Sequence, residues 1–159
     1  MEEHKMKIQK CTKSDFDQII TDIEDFWGGK RTIHVHHPTL LYEFGDTAFI
    51  IKEKDTVCAY MFAFFSQTET TGYVQLIAVR KKYRGLGYAR SLYVHFEEIA
   101  KKKGCTKLKA ITRPTNQESI KFHKSIGMTL TGKDMIEGVP VVLDYSGPGE
   151  PRVVFEKVI

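Results

Sequence analysis

Apolar positions along the chain follow two spacings, every second residue or every third to fourth, and these predict alternating strands and helices. Lys5 to Cys11 alternates loosely and predicts a first strand. Thr12 or Ser14 then caps a helix carrying Phe16, Ile19, Ile20, Ile23, Phe26 and Trp27, which Gly28-Gly29 stops. After Pro38 a short apolar helix is expected over Thr39 to Phe44. Ala48 to Glu53 and Val57 to Gln67 predict a hairpin around Glu53-Lys54-Asp55-Thr56. Its second arm, Ala59 to Phe65, is apolar enough for a central strand covered on both faces. Gly72 marks a further turn before a strand over Tyr73 to Val79.

A long helix begins near Tyr88 with one apolar stripe, Ala89, Leu92, Tyr93, Phe96, Ile99 and Ala100. Lys101-Lys102-Lys103 complement its C-terminus and Gly104 ends it. Lys107 to Thr112 predicts another strand. Thr115-Asn116-Gln117-Glu118 has the form of a capping box for a short helix, Ser119 to Ile126, closed by Gly127. Met128 to Thr131 and Arg152 to Ile159 predict the last strands, with a Gly-, Pro- and acid-rich loop, Asp134 to Pro151, between them. No repeat or linker divides the chain, so residues 1–159 are expected to form a single α/β (α+β) domain.

Composition narrows the class. With 42% hydrophobic and 28% charged residues this is an ordinary globular chain, and no run approaches the roughly 18 apolar residues of a membrane span. The charged N-terminus, Met1 to Met6, lacks a signal-peptide core. Three dispersed cysteines, Cys11, Cys58 and Cys105, read as free thiols and fit a reducing cytoplasm. His34, His36 and His37 invite a metal reading. No Cys or paired carboxylate lies at ligand spacing, so no metal is expected.

The net charge of +4 is too mild to imply nucleic-acid binding, and only Tyr83 and Tyr88 interleave with the basic residues. The distribution says more. Arg80, Lys81, Lys82, Arg84 and Arg90 put five positive charges in eleven residues with no acid among them. They lie between the strand Val74 to Val79 and a helix N-terminus, where cations are unfavourable unless an anion is held there. A solvated basic loop is the alternative. Gly85 and Gly87 permit positive φ and close backbone approach, so strand, loop and helix together read as an anion site. A P-loop fails, because the Gly-Lys pairs at 29–30 and 132–133 are followed by Arg31 and Asp134. A dinucleotide fingerprint is only weakly matched, because Arg90 stands where the third glycine should pack.

What remains, Arg84-Gly85-Leu86-Gly87-Tyr88-Ala89 after Ile77-Ala78-Val79, resembles motif A of the GCN5-related N-acetyltransferases, the GNAT superfamily. Lys107 to Thr112, Asn116 and Ile126-Gly127-Met128 are similar to the family's next motif. Asp25-Phe26-Trp27-Gly28-Gly29 and Asp144 to Glu150 resemble a bacterial subgroup of mostly unassigned acceptors. The resemblance implies a mixed sheet of about six or seven strands with about four helices. Splayed strands would form a cleft for acetyl-CoA. It implies acetyl transfer to a primary amine of a small molecule or peptide by direct attack in a ternary complex. The alternative is a non-catalytic acyl-CoA-binding or sensing domain.

By the same resemblance, Ile77, Ala78 and Val79 pair with the pantetheine arm, and Gly85, Leu86, Gly87, Tyr88, Ala89 and Arg90 hold the pyrophosphate. Arg84 adds charge, and Asn116 and Ser119 complete the cofactor side. Arg80, Lys81 and Lys82 are candidates for the 3′-phosphate. His123 occupies the position at which many members carry a Tyr that protonates the leaving thiolate; packing on the cofactor is its other reading. The base is open, with Glu69, Asp134, Glu137 and Asp144 as candidates. The acceptor pocket would be built from Trp27 to Phe44 and Asp134 to Glu150, whose acids lean towards a cationic acceptor. A homodimer through the C-terminal strands is compatible with the sequence. No membrane or nucleic-acid partner is expected.

Overall fold

The structure, a computed structural model, describes residues 6–159, so the expected strand start at Lys5 lies outside the described residues. In chain order the elements are β1 (Ile8–Lys10), α1 (Lys13–Thr21), α2 (Ile23–Trp27), α3 (Thr39–Tyr42), β2 (Ala48–Glu53), β3 (Thr56–Phe65) and β4 (Thr71–Val79). There follow α4 (Tyr88–Lys102), β5 (Lys107–Thr112), α5 (Gln117–Ser125), β6 (Thr129–Thr131), β7 (Asp134–Ile136), β8 (Val139–Val141) and β9 (Val153–Val158). Seven strands are hydrogen-bonded in the order β1-β2-β3-β4-β5-β9-β6. The parallel β4–β5 pair makes the sheet mixed, and with five α-helices it meets the expected fold.

The chain forms two compact units. The first runs up to Phe64 and includes Gln75–Glu98. Here Thr12 Oγ1 accepts the Asp15 N–H while Asp15 Oδ2 accepts the Thr12 N–H, a reciprocal box that starts α1. Burial would raise the Asp15 pKa, but Lys52 Nζ at 2.7 Å and the Thr12 bonds hold it below the usual carboxylate range. The single helix expected from Thr12 to Trp27 is broken at Asp22, whose N–H donates to Gln18 O, and α2 follows. Phe16, Ile19, Ile23 and Phe26 from these helices pack on Ile50, Tyr60 and Phe62. Residues 57–63 of β3 are at most 1% exposed, as a strand covered on both faces requires.

The second unit consists of Phe65–Val74 and Ile99–Ile159. Gly72 lies within β4 and marks no turn. The chain reverses over residues 67–70, closed by Ser66 N–H to Thr71 O at 2.9 Å. β4 pairs with β5 from Thr71–Lys107 to Val74–Ala110, and β5 pairs along its whole length with β9. The expected capping box at Thr115 is not the cap: Asn116 Oδ1 accepts the Ser119 N–H at 3.1 Å. Part of the predicted loop 134–151 is the β7–β8 hairpin. Gly132 is required beside it, because a Cβ there would lie 2.4 Å from Val141 O. Among the described residues no helix is long and apolar enough to cross a membrane.

Candidate functional site

In the first unit β4 ends at Val79, one turn of 3₁₀ helix spans Lys81–Tyr83, and α4 starts at Tyr88. Gly85 and Gly87 adopt φ of +77° and +87°, the left-handed region that glycine enters without strain. A Cβ at Gly85 would meet nothing within 4 Å, and one at Gly87 only the Met6 methyl at 3.9 Å. These glycines therefore answer to backbone conformation and not to crowding by protein. Ser91 N–H donates to Gly87 O, so the amides of Tyr88, Ala89 and Arg90 precede the first helical donor. Leu86 is 57% exposed beside them. Ile77 and Val79 are half-buried on one face of β4, and Ala78 is buried on the other.

The basic run does not act as one patch. Arg80 Nη1 lies 3.1 Å from both Asp22 Oδ2 and Asp25 Oδ2, its Nε donates to Val57 O at 3.0 Å, and its guanidinium sits 4.7 Å from the Phe26 ring centre. With its side chain 11% exposed, Arg80 is an internal strut, which corrects its candidacy for the 3′-phosphate. Arg84 donates to Phe26 O at 2.9 Å and Val79 O at 3.2 Å, so it supports the loop from α2. Lys81 and Lys82 remain exposed, with Lys82 Nζ over Tyr83.

In the second unit the parallel ladder stops at Val74 and Ala110, short of the ends of both strands. Asn116 and Ser119 are half-buried at the start of α5. His123 is 3% exposed, stacked on Phe155 at 4.3 Å and 10°, with Phe122 edge-on at 5.1 Å. Its Nδ1 lies 2.7 Å from Ser119 O, which only accepts, so Nδ1 carries the proton. Burial drives its pKa down to about 4, and the Ser119 carbonyl only partly opposes this. The ring is neutral near pH 7.

Two acids of the expected acceptor segment are engaged internally. Asp144 Oδ1 accepts the Gly149 N–H at 2.7 Å, and Glu150 pairs with Arg152 at 3.1 Å. Glu69, a candidate base, is held below its usual pKa first by Lys109 and then by Lys107. The histidine-bearing segment holds no metal-ligating group of three among the described residues.

Sequence reasoning missed two arrangements. Trp27, Tyr60 and His36 form a hydrogen-bonded chain in the first unit. In the second, Tyr73 is hydrogen-bonded to Tyr145, and burial first, then Tyr145, keep its phenol protonated. Their partners are far apart in sequence, and no local pattern signals them.

The sequence model of the acetyltransferase (GNAT) family matches residues 16–128. No curated protein sequence matches the chain. Among solved structures, a Desulfovibrio desulfuricans protein assigned to the GNAT family superposes with a TM-score of 0.78 at 16% identity, covering 96% of this chain and 98% of its own. The ribosomal-protein-S18-alanine N-acetyltransferase of Escherichia coli gives 0.68 at 16%, covering 96% and 93%. The NatC complex bound to Gag peptide and CoA gives 0.75 at 13%, covering 97% and 98%. Identities this low show a likeness of fold alone.

Proposed function

Because the chain belongs to the acetyltransferase (GNAT) family, we propose that it transfers the acetyl group of acetyl-CoA to a primary amine of a small molecule or peptide, by direct attack in a ternary complex. The observation that carries this reading is the loop after β4, where two left-handed glycines lead into the N-terminal amides of α4. Amides fixed in this way hold a pyrophosphate with little reorganisation, and the helix dipole adds roughly half a positive charge. In this reading Gly85 to Arg90 hold the pyrophosphate and Ile77, Ala78 and Val79 line the pantetheine arm. Asn116 and Ser119 lie on the cofactor side, and Lys81 or Lys82 meets the 3′-phosphate. The two units act as one domain over residues 1–159, and free Cys11, Cys58 and Cys105 support a reducing cytoplasm.

The chemistry sets the demands. An alkyl amine of pKa about 10.4 is roughly 0.04% neutral at pH 7, so removing its proton costs about 4.6 kcal/mol. Holding the amine against the thioester offsets that through effective molarity. A backbone N–H at Ile77 or Val79 is the proposed donor to the developing oxyanion. His123 is better supported as a packing residue of α5 than as the acid for the thiolate, because its Nδ1–H is engaged and its pKa of about 4 leaves almost no imidazolium. The internal pairing of Asp144 and Glu150 weakens the lean towards a cationic acceptor. The neighbours named for a ribosomal-protein substrate and a bound peptide support a peptide amine.

The neutral His123 also favours the second reading, a non-catalytic acyl-CoA binder. Thiol release from acetyl-CoA, measured across small amines and N-terminal peptides, separates the two. Release with at least one amine is expected. Tight acetyl-CoA binding with no release from any amine would favour the binder.

A further inference from the structure

The segment after α2 is tied to β3 by a directional chain. Trp27 Nε1–H donates to Tyr60 Oη at 2.6 Å. His36 Nδ1 lies 2.7 Å from Thr32 O, which only accepts, so Nδ1 carries the ring proton. His36 Nε2 is therefore the acceptor, and it takes the Tyr60 hydroxyl proton at 2.6 Å. Every member is satisfied, with Tyr60 fully buried and His36 3% exposed. Trp27 and Phe62 contact the imidazole at 5.9 and 6.4 Å between ring centres. One atom beside the chain is not satisfied: Thr32 Oγ1 is buried and has no hydrogen-bond partner among the described residues.

We infer that Trp27, Tyr60 and His36 form a latch that fixes residues 28–38 on β3, and that His36 is the positioning residue setting the shape of the acceptor side. This inference rests on the acetyltransferase reading, in which that segment faces the acceptor. The geometry makes the latch two-state. The chain holds the segment down, whereas the unpaired Thr32 hydroxyl favours any arrangement in which it finds a partner. Only the Nδ1–H tautomer closes the chain. A proton added at Nε2 would set a second donor against the Tyr60 oxygen, which already accepts from Trp27, and would take from the Tyr60 hydroxyl the acceptor it has in the chain. The titratable and charged neighbours of this arrangement are Tyr60 on β3, Cys11 beside Tyr60, His34 in the same segment, and Arg31, held on Trp27 O at 3.1 Å. Burial first, and His34 after it, disfavour the added proton, so the latch is closed at neutral pH.

The test needs no substrate. Lys30 and Arg31 are exposed within the segment, so trypsin reports its opening, and Trp27 is the sole tryptophan, so its emission reports the chain itself. In Tyr60→Phe, cleavage after Lys30 and Arg31 is expected to rise about tenfold or more relative to other sites. Unchanged cleavage, or an increase at all sites alike, would overturn the latch. In the unmodified protein, acidification below the ordinary imidazole range is expected to shift Trp27 emission together with this cleavage measured relative to the other sites, and His36→Phe removes both transitions. An emission change with no change in cleavage also overturns it. Given an acceptor, Tyr60→Phe raises the acceptor KM severalfold and leaves the acetyl-CoA KM within twofold; equal rises argue against positioning. If no amine is acetylated the enzymatic reading fails, while the cleavage result still decides the latch.

Discussion

Two histidines, one in each unit, are buried to the same 3%, yet they are held in different ways. His36 is fixed through both nitrogens, to Thr32 O and the Tyr60 hydroxyl, with aromatic edges around it. His123 is fixed through Nδ1 to Ser119 O and by its face, which lies flat on Phe155. The first depends on a hydrogen-bond chain that a single atom can interrupt. The second depends chiefly on packing and exclusion of water. The same side chain at the same depth thus serves as a linker in one unit and as an aromatic filler in the other. Neither is presented as a proton donor at neutral pH.

The largest effect that would break this contrast is on pH-dependent stability. His123 titrates near 6.5 unfolded and at about 4 folded, so its contribution is intact above pH 6.5 and lost as pH falls towards 4. The loss amounts to about 3 kcal/mol. Melting from pH 7 to 4 should show it, and His123→Phe, which retains a ring on Phe155, should flatten the profile. A profile unchanged by that substitution would mean that His123 does not exclude its proton. Tyr60→Phe comes next. It leaves the Trp27 N–H and His36 Nε2 without their partner and should cost about 1–2 kcal/mol by denaturant titration. A cost near zero would put His36 in the same class as His123. The smallest effect is that of Arg80→Lys. It keeps the charge but loses the fork between two half-exposed aspartates and the cation–π contact, at about 1 kcal/mol or less after solvent screening.

Outside residues 134–151, where a loop was expected and the β7–β8 hairpin is found, strand and helix order was legible from the spacing of apolar residues, and the apolar run of β3 indicated a strand covered on both faces. The break at Asp22 was not legible, since the apolar residues from Phe16 to Trp27 keep helical spacing across it. Asn116 took the cap from Thr115 because two adjacent residues both suit the position. Glycines at 85 and 87 announced the loop, and their φ values agree. Charge was legible only as a sum. Five cations without a local acid looked like an anion patch, but Asp22 and Asp25 reach Arg80 from more than fifty residues away in sequence. The His36 chain was hidden for the same reason, its partner Tyr60 lying on another element.

The central claim is that the loop from Gly85 to Arg90 holds the phosphates of acetyl-CoA. Calorimetric titration with acetyl-CoA of the unmodified chain and of Gly87→Glu tests it most directly. The variant sets a carboxylate where the pyrophosphate would lie, at a φ of +87° that costs about 1 kcal/mol. The account predicts binding by the unmodified chain and at least a hundredfold loss in the variant, with cooperative melting retained. Equal affinity in a folded variant would contradict it.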